Sequence, residues 1–185
     1  MTQWHRSGIA ELHRAYAAGE VTPAGLADHM FARIEAINPH LRAFVEVDRD
    51  GALADAERCC EGIAMGFFRP LEGVPVAIKS NIAVRGLELG AGMDARRGMI
   101  AAEDATVVRL LREAGAILLG TLNMHEAALG ATTDNLHFGR AFNPHGLGRT
   151  PGGSSGGSGA AVAAGLCVAA LGTDTLGSVS IPAAY

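Results

Sequence analysis

The chain of 185 residues has only three cysteines, no surplus of basic residues and no apolar run long enough to cross a bilayer. Cys59 and Cys60 are adjacent within a helical pattern and Cys167 stands alone in an apolar stretch, which matches neither a disulfide framework nor a zinc-ligand spacing. A reducing cytoplasm is the expected setting. With 15 Lys and Arg against 19 Asp and Glu, the net charge of -4 gives no general attraction to phosphate backbones or anionic lipid surfaces. Direct nucleic-acid binding and membrane association are therefore not expected. The longest apolar stretch, Gly159 to Leu171, falls short of the roughly 20 residues a bilayer requires and reads as a buried helix and strand. The polar start, Met1 to Arg6, lacks a basic region followed by an apolar one, so no secretory signal is expected. The seven histidines show neither an HExxH motif nor another paired-ligand spacing, which leaves them surface or packing roles and no metal.

What is present is a folding composition, 49% hydrophobic and 18% charged, with one domain as the default at this length. Ile9, Leu12, Ala15 and Tyr16 recur at helical spacing until Gly19. Thr22-Pro23 then opens a second helix as a capping hydroxyl before a first-turn proline, and its stripe of Leu26, Met30, Ile34 and Ile37 is expected to stop at Asn38-Pro39. A strand over Ala43 to Val47 and a helix over Gly51 to Ile63 follow. Gly73 to Ile78 is a compact apolar run that reads as a buried strand delivering Lys79 at its carboxyl end. Gly86 to Gly98 reads as loop, Val107 to Ala114 as a helix ending at Gly115, and Ala116 to Leu119 as a strand ending before Gly120. After the polar stretch Thr132 to Gly153, Ser158 to Gly165 looks helical and Cys167 to Leu171 strand-like. The alternation predicts an α/β fold.

The strongest local signal is Gly152-Gly153-Ser154-Ser155-Gly156-Gly157-Ser158. A glycine-serine run is usually a flexible spacer, but this one leads into a buried-looking helix rather than a second folded unit. A phosphate-binding P-loop would need a lysine and a Ser or Thr after the last glycine, and Gly157 is followed by Ser158-Gly159-Ala160. Gly153 to Gly157 also matches G-x-S-x-G, yet no histidine follows His145 to serve as a base, and Gly146 to Gly153 is no strand. A third arrangement has its components in place. Lys79 ends an apolar strand, where burial disfavours its charged form and moves it toward a usable base. Ser154 lies in glycine-rich backbone, and Ser178 lies in the turn Gly172 to Ser178, suited to aiming N–H groups at an oxyanion. A lysine can then accept a proton from one serine, which relays basicity to the second.

With these residues the chain resembles the amidase signature family along nearly its whole length. Gly73-Val74-Pro75-Val76-Ala77-Ile78-Lys79 is similar to the family's lysine strand, and Gly120 to Glu126 to its Asn-Met-x-Glu segment. Asn143 to Gly157 resembles its serine-glycine core, and Gly172 to Ala184 its nucleophile region. The resemblance implies a mixed sheet flanked by helices and an amidase working through an acyl-enzyme, with no cofactor. It implies Lys79 as general base, Ser154 as bridging serine after a cis Gly153–Ser154 peptide, and Ser178 as nucleophile. It further implies backbone N–H groups of Thr175, Leu176, Gly177 and Ser178 as oxyanion hole, and Ser155 as a supporting hydroxyl. The implied partner is a small-molecule amide. The family also contains the glutamine-hydrolysing component of a tRNA-dependent amidotransferase, so a homodimer and amidotransferase partner subunits are both open.

Three positions depart from the family pattern: Ser80 stands in place of the usual aspartate, Leu176 of glycine, and Ser180 of arginine. A positive φ at Leu176 would be costly, and Ser180 offers one neutral hydroxyl where arginine could clasp a carboxylate. Asp174 is expected to tie down its own turn, and Asn123 and Glu126 to hold a loop or line the site. Resembling amidases continue well past the position of Tyr185, so residues 1–185 are expected to be the amino-terminal part of a single amidase domain. The alternative is a truncated, non-catalytic remnant.

Overall fold

The computed structural model describes residues 3–185. Helices α1 (Ile9–Ala18), α2 (Pro23–Leu41) and α3 (Arg49–Ala64), with strand β1 (Phe44–Val47) between the last two, lead to β2 (Pro75–Lys79). Then come α4 (Thr106–Glu113), β3 (Ile117–Leu122), α5 (Gly156–Ala163), β4 (Ala169–Leu171) and the short α6 (Ser180–Ala184). The sheet runs β1-β3-β2-β4. β2 lies parallel to both β3 and β4, while β1 is antiparallel to β3. This is the α/β fold that the sequence pattern predicts, with the mixed sheet and flanking helices that the resemblance implies. Among the described residues no helix is long and apolar enough to cross a membrane.

The two central strands are buried on both faces, which explains why β2 and β3 read as continuous apolar runs rather than alternating ones. Period-two geometry divides their side chains. Ala77, Ile117 and Leu119 join the apolar layer built with α2, α3 and α5, whereas Val76, Ile78 and Leu118 face Val84, Leu87 and Val108 on the other side. Local capping follows the sequence. Thr22 Oγ1 accepts from Gly25 N at 3.1 Å and Asp48 Oδ1 from Gly51 N at 3.0 Å.

Several boundaries differ from the sequence reading. α2 does not stop at Asn38-Pro39 but runs to Leu41 with Pro39 inside it. Proline removes one amide donor, but the next turn survives because Arg42 N still donates to Asn38 O at 2.7 Å. The Asn38 side chain then accepts from Phe44 N and donates to Phe44 O, joining helix to β1. β3 likewise continues through Gly120, at φ 143°, to Leu122. A Cβ there would lie 2.2 Å from Glu46 O, so glycine here admits the irregular β1 backbone rather than ending the strand. α5 begins two residues earlier than expected, at Gly156, and β4 is confined to Ala169–Leu171.

Candidate active site

Lys79 is the last residue of β2, and its side chain is fully buried, with 0% exposure. Its Nζ donates to Ser154 Oγ at 2.7 Å, Ser155 Oγ at 2.8 Å and Thr173 Oγ1 at 2.8 Å. Three acceptors match the three donors of an ammonium group. Burial nevertheless dominates its titration and pushes the group down to about 8, against an opposing pull from the negative charge of Asp174. A lysine with that value is substantially neutral just above neutral pH.

The serines arrive from the turn before α5. The Gly153–Ser154 peptide is cis, as the resemblance implies, and Ser154 and Ser155 are both fully buried. Ser154 O accepts from His125 N at 3.0 Å. Ser155 Oγ donates to Thr173 O at 3.2 Å and accepts from Thr173 N at 3.3 Å. Gly157 permits this approach: a Cβ would stand 2.3 Å from Asn123 O and 2.7 Å from Ala43 O. Thr133, at φ 51°, binds the run from behind, donating to Gly152 O and accepting from Gly156 N.

Ser178 meets this centre through its main chain, its carbonyl accepting from Ser155 N at 2.9 Å. Among the described residues its hydroxyl makes no hydrogen bond to Ser154 or Lys79. The following turn is organised by Asp174. Its carboxylate accepts from Ser180 N at 2.9 Å, Val179 N at 3.0 Å, Ser180 Oγ at 2.8 Å and Gly177 N at 2.6 Å, and these donors hold it well below the usual carboxylate range. Asp174 thus ties down its turn as expected.

The structure bears on two expectations about that turn. Gly177 N–H, counted with Thr175, Leu176 and Ser178 as an oxyanion donor, is engaged by Asp174. Leu176, where a positive φ would have been costly, is not in the left-handed region; Gly177 takes it, at φ 104°. Ser180, in place of arginine, commits its hydroxyl to Asp174. Ser80 is buried and holds strand geometry, its N–H donating to Leu122 O at 3.1 Å.

Asn123 is buried and holds loops, its Nδ2 donating to Arg42 O and Gly139 O and its Oδ1 accepting from Met124 N. Glu126 pairs with His137 Nε2 at 3.5 Å and, among the described residues, makes no hydrogen bond or ion pair with Lys79. Sequence reasoning missed Thr173, whose hydroxyl accepts from both Lys79 Nζ and Asn81 Nδ2. Its position next to Asp174 was visible, but a threonine in a turn has many roles. Asn81 Oδ1 is buried without a hydrogen-bond partner among the described residues.

A mixed α/β sheet that presents a buried lysine to two serine hydroxyls at the end of a central strand defines the class. A profile of the amidase family matches residues 26–185, and the chain belongs to that family. It is 44% identical over 178 residues to the A subunit of the glutamyl-tRNA(Gln) amidotransferase from Prochlorococcus marinus (strain MIT 9313), covering 96% of this chain and 37% of that protein. The corresponding protein of Roseiflexus sp. (strain RS-1) is 43% identical over 184 residues, with coverages of 100% and 38%. The native peptide amidase from Stenotrophomonas maltophilia superimposes with a TM-score of 0.91 at 35% identity, over 98% of this chain and 39% of that one. A 6-aminohexanoate cyclic dimer hydrolase gives 0.89 at 32%, over 97% and 36%. The chain thus spans less than two fifths of the length of these relatives.

Proposed function

We propose that this chain is the amino-terminal part of an amidase domain that hydrolyses a carbon–nitrogen amide bond through Lys79, Ser154 and Ser178. The observation that carries the reading is the 2.7 Å contact between buried Lys79 Nζ and Ser154 Oγ, with the lysine depressed to about 8. Neutral Lys79 takes a proton from Ser154, and Ser154 in turn accepts the proton of Ser178 as the Ser178 oxygen bonds to the amide carbon. The carbonyl π electrons move to oxygen, where the N–H groups of Thr175, Leu176 and Ser178, which make no hydrogen bonds among the described residues, would face the developing charge. Gly177 would contribute a fourth donor on leaving Asp174. The relay returns the proton to the departing nitrogen as the C–N bond breaks, and water then cleaves the acyl-enzyme. These steps need no metal or organic cofactor.

A second reading, the glutamine-hydrolysing component of an amidotransferase, is favoured by the 44% identity to such a protein over 96% of the chain. It would bring partner subunits, whereas a simple amidase acts alone or as a homodimer. Both readings fit a reducing cytoplasm, in keeping with the free thiols of Cys59, Cys60 and Cys167.

The test is labelling of the purified chain with a fluorophosphonate, alongside its thermal unfolding. Cooperative unfolding with labelling that Ser178→Ala and Lys79→Ala both abolish supports the triad. Absence of both unfolding and labelling indicates a non-catalytic remnant. Ammonia release from glutamine rather than from a simple amide distinguishes the amidotransferase reading. Loss of the arginine at position 180 is proposed to weaken use of carboxylate-bearing amides, and an unchanged preference in Ser180→Arg would count against that.

A further inference from the structure

We propose that a concavity at the amino-terminal ends of β2 and β3 binds a phosphate-type oxyanion through Arg58, Arg69, Arg85 and Arg112. The cavity, of about 350 Å³, is lined by these four arginines together with Asp55, Glu113, Cys59, Gly115 and Ala116. Gly115 and Ala116 immediately precede β3, whereas Lys79 ends the parallel strand β2. One strand length, on the order of 13 Å for five residues, therefore separates this concavity from the candidate active site.

Two of the arginines are fixed from behind by carboxylates. Arg69 directs Nε and Nη2 onto Glu72, which is 1% exposed, at 2.5 and 2.7 Å. Arg112 directs Nη1 onto Asp55 at 2.9 Å and Nε onto Asp104 at 3.0 Å. Arg69 Nη1 and Arg112 Nη2 remain unclaimed among the described residues. A guanidinium held in this way gives up little side-chain entropy when it meets a ligand.

The other two arginines sit at the rim. Arg58 shares Asp55 with Arg112, and the exposed Arg85 makes no ion pair among the described residues. Glu113 is held by Arg109, at 2.6 Å. Four guanidinium groups thus line the cavity with Asp55 and Glu113, and Glu72 and Asp104 stand behind them, so what faces a ligand is the unclaimed amino groups of Arg69 and Arg112 and the unpaired fork of Arg85. Structural pairing alone would not call for Arg85. The planar fork of arginine matches two oxygens of a phosphate, and several forks converging on a concave surface select a doubly charged oxyanion over chloride.

The experiment is an NMR titration of the chain with inorganic phosphate and, separately, with phenyl phosphate, with chloride holding ionic strength constant. Saturable shifts confined to amides around positions 55–58, 69, 85 and 112–116 are expected, with a Kd of about 1 mM or tighter. Arg58→Gln together with Arg85→Gln alters only exposed side chains and is expected to weaken binding about tenfold or more. At a given concentration phosphate should also raise the thermal midpoint of the parent chain more than that of the double variant. Tighter binding of phenyl phosphate points to an organic phosphate as the natural ligand, and equal binding points to free phosphate. Linear shifts that never saturate, or equal affinity in the double variant, would overturn the site.

Discussion

Lys79 Nζ lies 2.7 Å from Ser154 Oγ, and that hydroxyl has no other hydrogen-bond partner among the described residues. Ser155, the lysine's second serine, already donates to Thr173 O. When Lys79 loses a proton, the serine hydroxyl its new lone pair meets without another acceptor is therefore that of Ser154. Geometry alone singles out which serine communicates with the lysine, and this asymmetry governs how the site should respond to pH and to substitution.

Only neutral Lys79 can accept a proton, and burial sets its midpoint at about 8. Acylation by a fluorophosphonate should rise through pH 8 and level off above it, increasing about tenfold per unit on the acid side. A rate that does not change between pH 6 and 9 would remove Lys79 from the base role.

Burying that lysine also has an energetic cost. Its folded value lies below the ordinary 10.5, so its contribution is unfavourable in full below about pH 8 and disappears as pH rises through 10.5. A depression of this size corresponds to about 3 kcal/mol. Lys79→Met removes it but leaves the Ser154 hydroxyl without its partner, which returns about 1 kcal/mol. The variant is expected to be about 2 kcal/mol more stable than the parent at pH 7, with the gap closing toward pH 10, while labelling falls by about a thousandfold. Urea unfolding at the two pH values checks this, and a variant less stable at pH 7 would contradict it.

How much of this was legible beforehand depended on whether a residue's role is local. The β2 strand announced itself because both its faces are buried, so five consecutive residues could be read as one element ending in Lys79. The Ser154 turn was legible because glycines crowd it, and glycine marks close backbone approach. Thr173 was not, because its importance comes from Lys79 and Asn81, 94 and 92 positions away in sequence. Pro39 and Gly120 misled for a related reason. Each is a breaker by propensity, but Asn38 repairs the helix end and the Glu46 carbonyl makes use of the missing Cβ.

Thr173→Val tests the missed residue. The methyl group keeps the shape but removes an acceptor from Lys79 Nζ and from Asn81 Nδ2. Because the lost bond supported the ammonium form, the midpoint of the pH profile should move below 8, and stability should fall by about 1 to 3 kcal/mol. A midpoint that stays put or rises would show that the hydroxyl does not contribute to holding the charge.

Asp174→Asn should shift the same midpoint downward, because the carboxylate's negative charge opposes the effect of burial on Lys79. Its own linkage has a definite sign. A carboxyl held below its unfolded value stabilises the fold above the ordinary carboxylate range, and that contribution is lost as pH falls. The parent chain should therefore lose stability on acidification below about pH 4, and the asparagine variant should lose less. Parallel acid titrations followed by circular dichroism make the comparison, and coincident curves would count against the assignment.

Gly157→Ala probes the packing that brings the serines to the lysine. The added Cβ would meet Asn123 O at 2.3 Å, Ala43 O at 2.7 Å and Asn123 N at 2.7 Å, all main-chain atoms that cannot rotate aside. The start of α5 must then withdraw from the end of β3, taking Ser154 and Ser155 away from Lys79. Overpacking against rigid backbone is expected to cost about 3 kcal/mol or more and to abolish labelling even where the chain still folds. Gly62→Ala is the matched control. It lies inside α3, where the nearest atom to its new Cβ would be Glu72 Oε1 at 3.7 Å, an ordinary contact. Alanine there should raise stability by about 0.5 to 1 kcal/mol through helix propensity. Unfolding midpoints measured side by side decide the matter, and a Gly157→Ala protein as stable and as reactive as the parent would show that the α5 turn does not need its close approach to β3.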